Sequence, residues 1–166
     1  INYTITAGSG DDVIVSGAGA DTIGGGLGID AITGGAGIDT ITGGGGSDVL
    51  TVTTGDTGIT AATADTITGF VTAADTVAAY LTGAAEAVEA DGGALANFAA
   101  LVAAADVVFT AGVGANDGIY ISYNAIASGD AYVLIDEDDS GSFDAGDTLL
   151  ILTGINLAAE IAPADF

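Results

Sequence analysis

A nine-residue period running through residues 7–51 limits what this chain can fold into more than any other feature. In blocks the sequence reads AGSGDDVIV (7–15), SGAGADTIG (16–24), GGLGIDAIT (25–33), GGAGIDTIT (34–42) and GGGGSDVLT (43–51). The sixth position is always Asp: Asp12, Asp21, Asp30, Asp39 and Asp48. The eighth is always aliphatic: Ile14, Ile23, Ile32, Ile41 and Leu50. The second and fourth are always glycine: Gly8 and Gly10, Gly17 and Gly19, Gly26 and Gly28, Gly35 and Gly37, Gly44 and Gly46. Glycine reaches positive φ without steric cost, so the first six residues of a block read as a turn. The last three read as a short strand with its middle side chain inward. Two blocks then form one coil of 18 residues, with a strand on each side and a turn at each edge. Asp12, Asp30 and Asp48 stack on one edge and Asp21 and Asp39 on the other, around a thin core of the five aliphatic residues. The competing reading, a glycine-rich flexible linker, gives no reason for the invariant Asp and aliphatic positions.

The charge balance shows what such a stack requires. The chain carries 23 acidic residues and no Lys, Arg or His. No side-chain cation is available to any carboxylate, and self-repulsion of this size disfavours a compact state. Strands stack about 4.8 Å apart, so successive turn aspartates need a counterion between them. An excess of Asp over Glu, together with carbonyls exposed by glycine turns, offers the six to eight oxygen ligands that Ca²⁺ prefers. The same balance argues against nucleic acid, whose phosphates nothing here could neutralise, and against anionic membrane surfaces. Membrane insertion is not expected either, because the most apolar window, Phe98 to Phe109, is short and contains Asp106. There is no Cys for disulfides or thiolate sites. Residue 1 is Ile with no basic stretch ahead of an apolar one, which suggests a fragment or a processed chain and an export signal of another kind.

The five blocks resemble the GGxGxDxUx nonapeptide of the repeats-in-toxin (RTX) family, a calcium-binding parallel β-roll. The departures are Ala7 and Ser16 in place of the first Gly, and Gly24 after Ile23. The resemblance implies that the repeat glycines and aspartates hold calcium through pairs Asp12/Asp30, Asp30/Asp48 and Asp21/Asp39, with Asp48/Asp65 as a fourth. With an acidic loop described below, about four to six ions are expected. The segment ADTITGFVTAADTVAAY (64–80) is similar to the stretch that closes RTX rolls, which adds Asp65 and Asp75 as metal ligands. Both also read as ordinary turn or strand-start aspartates.

Beyond residue 80 the composition changes. Leu95, Phe98, Leu101 and Val102 fall at helical spacing, so a helix is expected over 94–104. IYISYNAI, AYVLID and TLLILTG read as strands. The expected fold is mainly β: a parallel β-roll with its closing segment (1–80), then a small antiparallel sheet with one helix (81–166) capping the open end of the roll. Between the last two strands runs DEDDSGSFDAGD. Asp136, Asp138, Ser140, Asp144 and Asp147 occupy positions 1, 3, 5, 9 and 12 of an EF-hand-like loop, with Gly141 at 6 and Ser142 as a further oxygen ligand. Asp at position 12 in place of Glu predicts weaker binding, and a solvated acidic hairpin turn is the competing reading. The segment YVLIDEDDSGSFDAGDTLLILTG is similar to a unit of RTX-type surface-layer proteins, and the tail LAAEIAPADF to signals read by type I secretion machines.

With no His, Cys, Lys or Arg, the usual catalytic bases, nucleophiles and oxyanion donors are missing, so an enzyme is not expected. A carboxylate pair of the glycosidase kind is the only remaining option, and each acidic cluster already has a metal-binding reading. The resemblance implies a calcium-folded module at the C-terminus of a surface-layer or surface-filament protein. Such a protein would be exported by type I secretion to the surface of a Gram-negative-type bacterium, with self-association into a surface assembly. The alternative is the RTX terminus of an adhesin, toxin or exoenzyme.

Overall fold

The computed structural model describes residues 1–52, 57–60, 62–71, 74–79, 86–90, 102, 118–123, 130–136, 140 and 142–154. Within them run twelve strands: β1 (Thr4–Ser9), β2 (Val13–Val15), β3 (Thr22–Leu27), β4 (Ala31–Thr33), β5 (Thr40–Gly45), β6 (Val49–Val52), β7 (Asp65–Thr68), β8 (Thr76–Ala79), β9 (Glu86–Ala90), β10 (Gly118–Tyr123), β11 (Asp130–Asp136) and β12 (Thr148–Thr153). They form two sheets, a long one ordered β1-β3-β5-β7-β12-β11-β10-β9 and a short one ordered β2-β4-β6-β8. Consecutive strands alternate between the sheets up to β8, as two nonapeptides per coil demand.

The register carries the repeat directly. Ile5 pairs with Ile23 and Ile23 with Ile41 in the long sheet, while Ile14 pairs with Ile32 and Ile32 with Leu50 in the short one, all in parallel strands. The aliphatic eighth positions point inward, and Ile23, Ile32, Ile41 and Leu50 are fully buried. Their strand neighbours face outward, Val13 and Val15 being exposed. This is the period-2 alternation of a strand buried on one face.

After β6 the coil length changes. Ile41 pairs with Ile67, and Leu50 with Val77, so the last coil carries inserted residues while keeping the register of its inward side chains. This corrects one expected pair. Asp65 stacks on Asp39 rather than on Asp48, and Asp48 stacks on Asp75. Counting 17 residues from Asp48 picks the wrong edge, because the insertion after Val52 shifts both later aspartates along the chain.

The strands expected as a separate antiparallel cap are antiparallel to one another, β10 to β11 and β11 to β12. They do not stand apart, however. β12 runs parallel to β7 and extends the long sheet, with Leu152 opposite Ile67, and β9 joins β10 in parallel at the far side. β12 thus pairs the ladder groups that β7 would otherwise leave open. β11 and β12 are buried on both faces, which explains their unbroken apolar runs. Val133, Ile135, Leu150 and Leu152 continue the roll's own core. On the opposite face Tyr132, Leu134, Leu149 and Ile151 pack with Tyr120 and Phe143. Of the helix expected over 94–104 only Val102 is described, half-buried against this second cluster; the rest lies outside the described residues. Among the described residues no helix is long and apolar enough to cross a membrane.

Candidate metal-binding turns

The glycines expected at the second and fourth positions, Gly8 through Gly46, all adopt positive φ. Gly26 shows why no other residue fits. Its φ is +117°, and a Cβ there would lie 1.9 Å from the Gly8 carbonyl oxygen. Stacked turns are therefore in backbone contact, leaving carbonyl oxygens and the sixth-position carboxylates as the groups that line each edge.

The carboxylates form a directional chain. Asp30 Oδ1 accepts the Asp12 N–H at 2.9 Å, and Asp48 Oδ1 accepts the Asp30 N–H at 3.0 Å. On the other edge Asp39 Oδ1 accepts the Asp21 N–H, and Asp65 Oδ1 the Asp39 N–H, both at 2.8 Å. Asp75 Oδ1 receives the Asp48 N–H at 3.0 Å and its Oδ2 the Val71 N–H at 2.8 Å. Each carboxylate thus reaches back to the previous coil with one oxygen. Asp21, Asp30, Asp39, Asp48, Asp65 and Asp75 are all buried, and Asp12, on the first full coil, is half-buried.

The second oxygen is the telling one. Like that of Asp21, Oδ2 of Asp30 and of Asp48 is buried and accepts no hydrogen bond. Each lies over the first glycine of its own block: a Cβ at Gly25 would stand 2.3 Å from Asp30 Oδ2 and 2.6 Å from the Gly43 carbonyl oxygen. A Cβ at Gly43 would stand 2.3 Å from Asp48 Oδ2. Burial pushes the Asp48 carboxyl above the usual value of 3.8; the Asp30 N–H pulls it back, and the Asp75 and Asp30 charges add to the push. Buried charge without a partner is costly, so these turns fit a small oxygen-seeking cation. Among the described residues no three acidic side chains converge. The donor set is instead one carboxylate per turn plus backbone carbonyls, which suits Ca²⁺.

The acidic loop between β11 and β12 is organised by its own backbone. Asp136 Oδ1 accepts the Ser140 N–H at 3.2 Å, and Asp147 Oδ2 the Asp144 N–H at 2.6 Å. Asp144 Oδ1 accepts the Gly146 N–H at 3.1 Å, and Ser140 Oγ donates to the Ser142 carbonyl at 2.9 Å. Asp136 and Asp147 are buried at the base of the loop, which Phe143 anchors in the second core cluster. Asp138 and Gly141 lie outside the described residues.

Two features of the roll escaped the sequence reading. Residues 1–6 continue the pattern backwards: Tyr3 stands where an earlier block would have its Asp, and its N–H donates to Asp21 Oδ1 at 2.7 Å. Ile5 falls on the aliphatic position, so NYTIT was legible as a degenerate half-repeat. Thr57 closes the other end, donating to the Leu149 carbonyl at 3.0 Å while accepting the Asp65 N–H at 2.7 Å. Nothing in the local sequence signals that role.

Parallel coils stacked in register, each turn pairing one inward carboxylate with close-packed glycine backbone, define a β-roll with oxygen-lined edges. Residues 4–32 and 24–59 match the RTX calcium-binding nonapeptide repeat (4 copies), so the stretch 4–59 of the roll is built of RTX repeats. The fold as a whole is similar to the solution structure of the AlgE6R3 subunit from the Azotobacter vinelandii mannuronan C5-epimerase. The TM-score is 0.62 at 20% identity, over 99% of this chain and 76% of that one. No curated protein matches the sequence.

Proposed function

We propose that this chain is a calcium-dependent folding and assembly module from the C-terminal part of a secreted bacterial surface-layer or surface-filament protein, exported by type I secretion. The observation that carries the calcium-switch reading is the buried, unpartnered Oδ2 of Asp30 and Asp48 in a chain with no side-chain cation. Without an ion, the stacked carboxylates repel and the apolar stack is thin. Ions that bind only the folded state shift the balance by mass action, each by about 2.7 kcal/mol at a hundredfold excess over its dissociation constant. With about four to six coupled ions, folding becomes a sharp function of calcium. Where calcium is low the chain stays extended enough to thread a channel; outside the cell it folds.

Two parts are proposed, residues 1–80 as the calcium-bound roll and 81–166 as the cap with the acidic loop as a further, weaker site. The surface-layer reading draws on the Ala-, Gly- and Thr-rich composition, the loop hairpin following the roll and the lack of Lys and Arg, which leaves trypsin nowhere to cut. The second reading, the RTX terminus of an adhesin, toxin or exoenzyme, draws on the likeness to a subunit of an epimerase. Hydrogen exchange with calcium and then with chelator tests the switch: protection over residues 7–80 disappears on chelation and returns with calcium, whereas magnesium, which demands tighter octahedral geometry, restores it poorly. Protection that survives exhaustive chelation would falsify it. Electron microscopy of calcium-treated material separates the parents, since a surface-layer module orders into a lattice.

A further inference from the structure

The two edges of the roll end differently. Along each edge the N–H of one turn aspartate is accepted by Oδ1 of the aspartate one coil further on. One ladder runs from Asp12 through Asp30 and Asp48 to Asp75, the other from Asp21 through Asp39 to Asp65. Asp75 ends the first by folding back on its own loop: its N–H goes to the Val71 carbonyl at 2.8 Å, and its Oδ2 takes the Val71 N–H at 2.8 Å. Asp65 ends the second against β12, where Leu150 stands in register with it, the position that an aspartate fills in the coils before. The Asp65 N–H goes instead to the Thr57 hydroxyl at 2.7 Å, and that hydroxyl donates its own proton to the Leu149 carbonyl of β12 at 3.0 Å. Thr57 and Asp65 are both buried.

We propose that Thr57 is the positioning residue that ends this ladder and ties it to β12, so that β12 senses ion occupancy through the Asp21/Asp39/Asp65 edge rather than through the other. The inference rests on the calcium reading of the turns. Without an acceptor the Asp65 N–H would be a buried, unpaired donor, which is costly. A hydroxyl has one proton and two acceptor lone pairs. With β12 in place the Leu149 carbonyl takes the proton and leaves a lone pair for the Asp65 N–H. Held from that side, Asp65 presents its carboxyl to Asp39, whose N–H Oδ1 accepts at 2.8 Å. An ion drawing on the Asp65 carboxyl therefore fixes the backbone on which the Thr57 bond depends, and docking of β12 fixes the carboxyl in return. Such a linkage is reciprocal. Asp75, bonded to Val71 and Asp48, makes no such bridge.

Hydrogen exchange of the full chain, read strand by strand through a calcium titration, tests the link. In wild type β7 and β12 are expected to gain protection at one calcium midpoint. Asp39→Asn, which keeps an acceptor for the Asp21 N–H, is expected to move β7 and β12 together to higher calcium, whereas Asp48→Asn moves β6 and β8 and leaves β12 in place. Thr57→Val, close in shape but without the hydroxyl, is expected to raise the midpoint of β7 and β12 roughly threefold, and Thr57→Ser to restore it. That rise is expected to vanish in an Asp65→Asn background, whereas a hydroxyl that only supports the fold would give the same rise in both backgrounds. A wild type whose protection ignores calcium overturns the parent reading. A wild-type midpoint for Thr57→Val, an undiminished rise in the Asp65→Asn background, or equal effects of Asp39→Asn and Asp48→Asn on β12 overturn this inference alone. Should Thr57→Val fail to fold, the comparison of Asp39→Asn with Asp48→Asn decides.

Discussion

Asp30 sits in the middle of its edge, bonded to the coil on either side: its carboxyl takes the Asp12 N–H at 2.9 Å and its own N–H goes to Asp48 at 3.0 Å. It therefore borders two inter-coil spaces, whereas Asp12, half-buried on the first full coil, borders one within the roll. On the proposed arrangement Asp30→Ala would remove a ligand from two ions, about 5 kcal/mol of calcium-linked stability at a hundredfold excess over the dissociation constant, and Asp12→Ala about half of that. Loss of the acceptor for the Asp12 N–H adds about 1 kcal/mol to the Asp30 variant. Spread over about four coupled ions, the losses become roughly a tenfold rise in the calcium midpoint for Asp30→Ala and threefold for Asp12→Ala. Asp30→Asn separates charge from hydrogen bonding. Its amide oxygen still accepts the Asp12 N–H, so a midpoint raised nearly as far as in Asp30→Ala assigns the effect to the ion. The assay is a calcium titration followed by far-UV circular dichroism. Equal midpoints for Asp12→Ala and Asp30→Ala, or a wild-type midpoint for Asp30→Asn, would refute the two-sided arrangement.

Three other outcomes follow from the geometry. Ile32 is fully buried between Ile14 and Leu50, so Ile32→Ala should cost the calcium-loaded protein about 2–5 kcal/mol in urea unfolding while leaving the ion count unchanged. Gly26→Ala should abolish the calcium-induced transition, because its Cβ would meet the Gly8 carbonyl at 1.9 Å; Gly8→Ala, at φ +123° with nothing within 4 Å, should cost only the backbone strain of about 1–3 kcal/mol. Asp48 carries a raised value, so the calcium-free fold binds its proton more tightly than the unfolded chain does; roll structure in chelator should therefore increase as pH falls through the range just above 3.8. Asp21, held low, works in the opposite sense, and only below its ordinary 3.8. Circular dichroism in chelator from neutral to mildly acid pH reads the difference.

What the sequence disclosed depended on whether a residue's role was fixed by its place in the period. Asp39, Gly26 and Ile32 have roles set by the coil alone, and their edge, φ and burial could be read from the spacing. The strands β10, β11 and β12 were equally legible, from the apolar runs IYISYNAI, AYVLID and TLLILTG. Partners across the insertion after Val52 were not, because the number of residues looped out is not encoded in the repeat; hence Asp48 meets Asp75 instead of Asp65. Nor was the union of roll and cap in one sheet, since pairing of β12 with β7 joins segments more than 80 residues apart and depends on which edge is open.

The glycine at the first position also explains why the counter-charge must come from outside the chain. In most folds a buried carboxylate would recruit an Arg or Lys from a neighbouring element. Here the backbone of one coil lies against the next so closely that a Cβ at Gly25, Gly34 or Gly43 would fall 2.3–2.4 Å from the carboxylate of the same block. No side chain rooted at those positions can enter, and every element stacked above or below is another turn of the same kind. The backbone N–H groups are already committed, one to each carboxylate. What remains is an edge lined by carboxylate and carbonyl oxygens, a donor set that suits a monatomic divalent cation better than a guanidinium or ammonium on a carbon stem. A chain built by repeating that turn has no use for Lys or Arg within its roll. On the proposed reading its stability is set instead by the calcium around it.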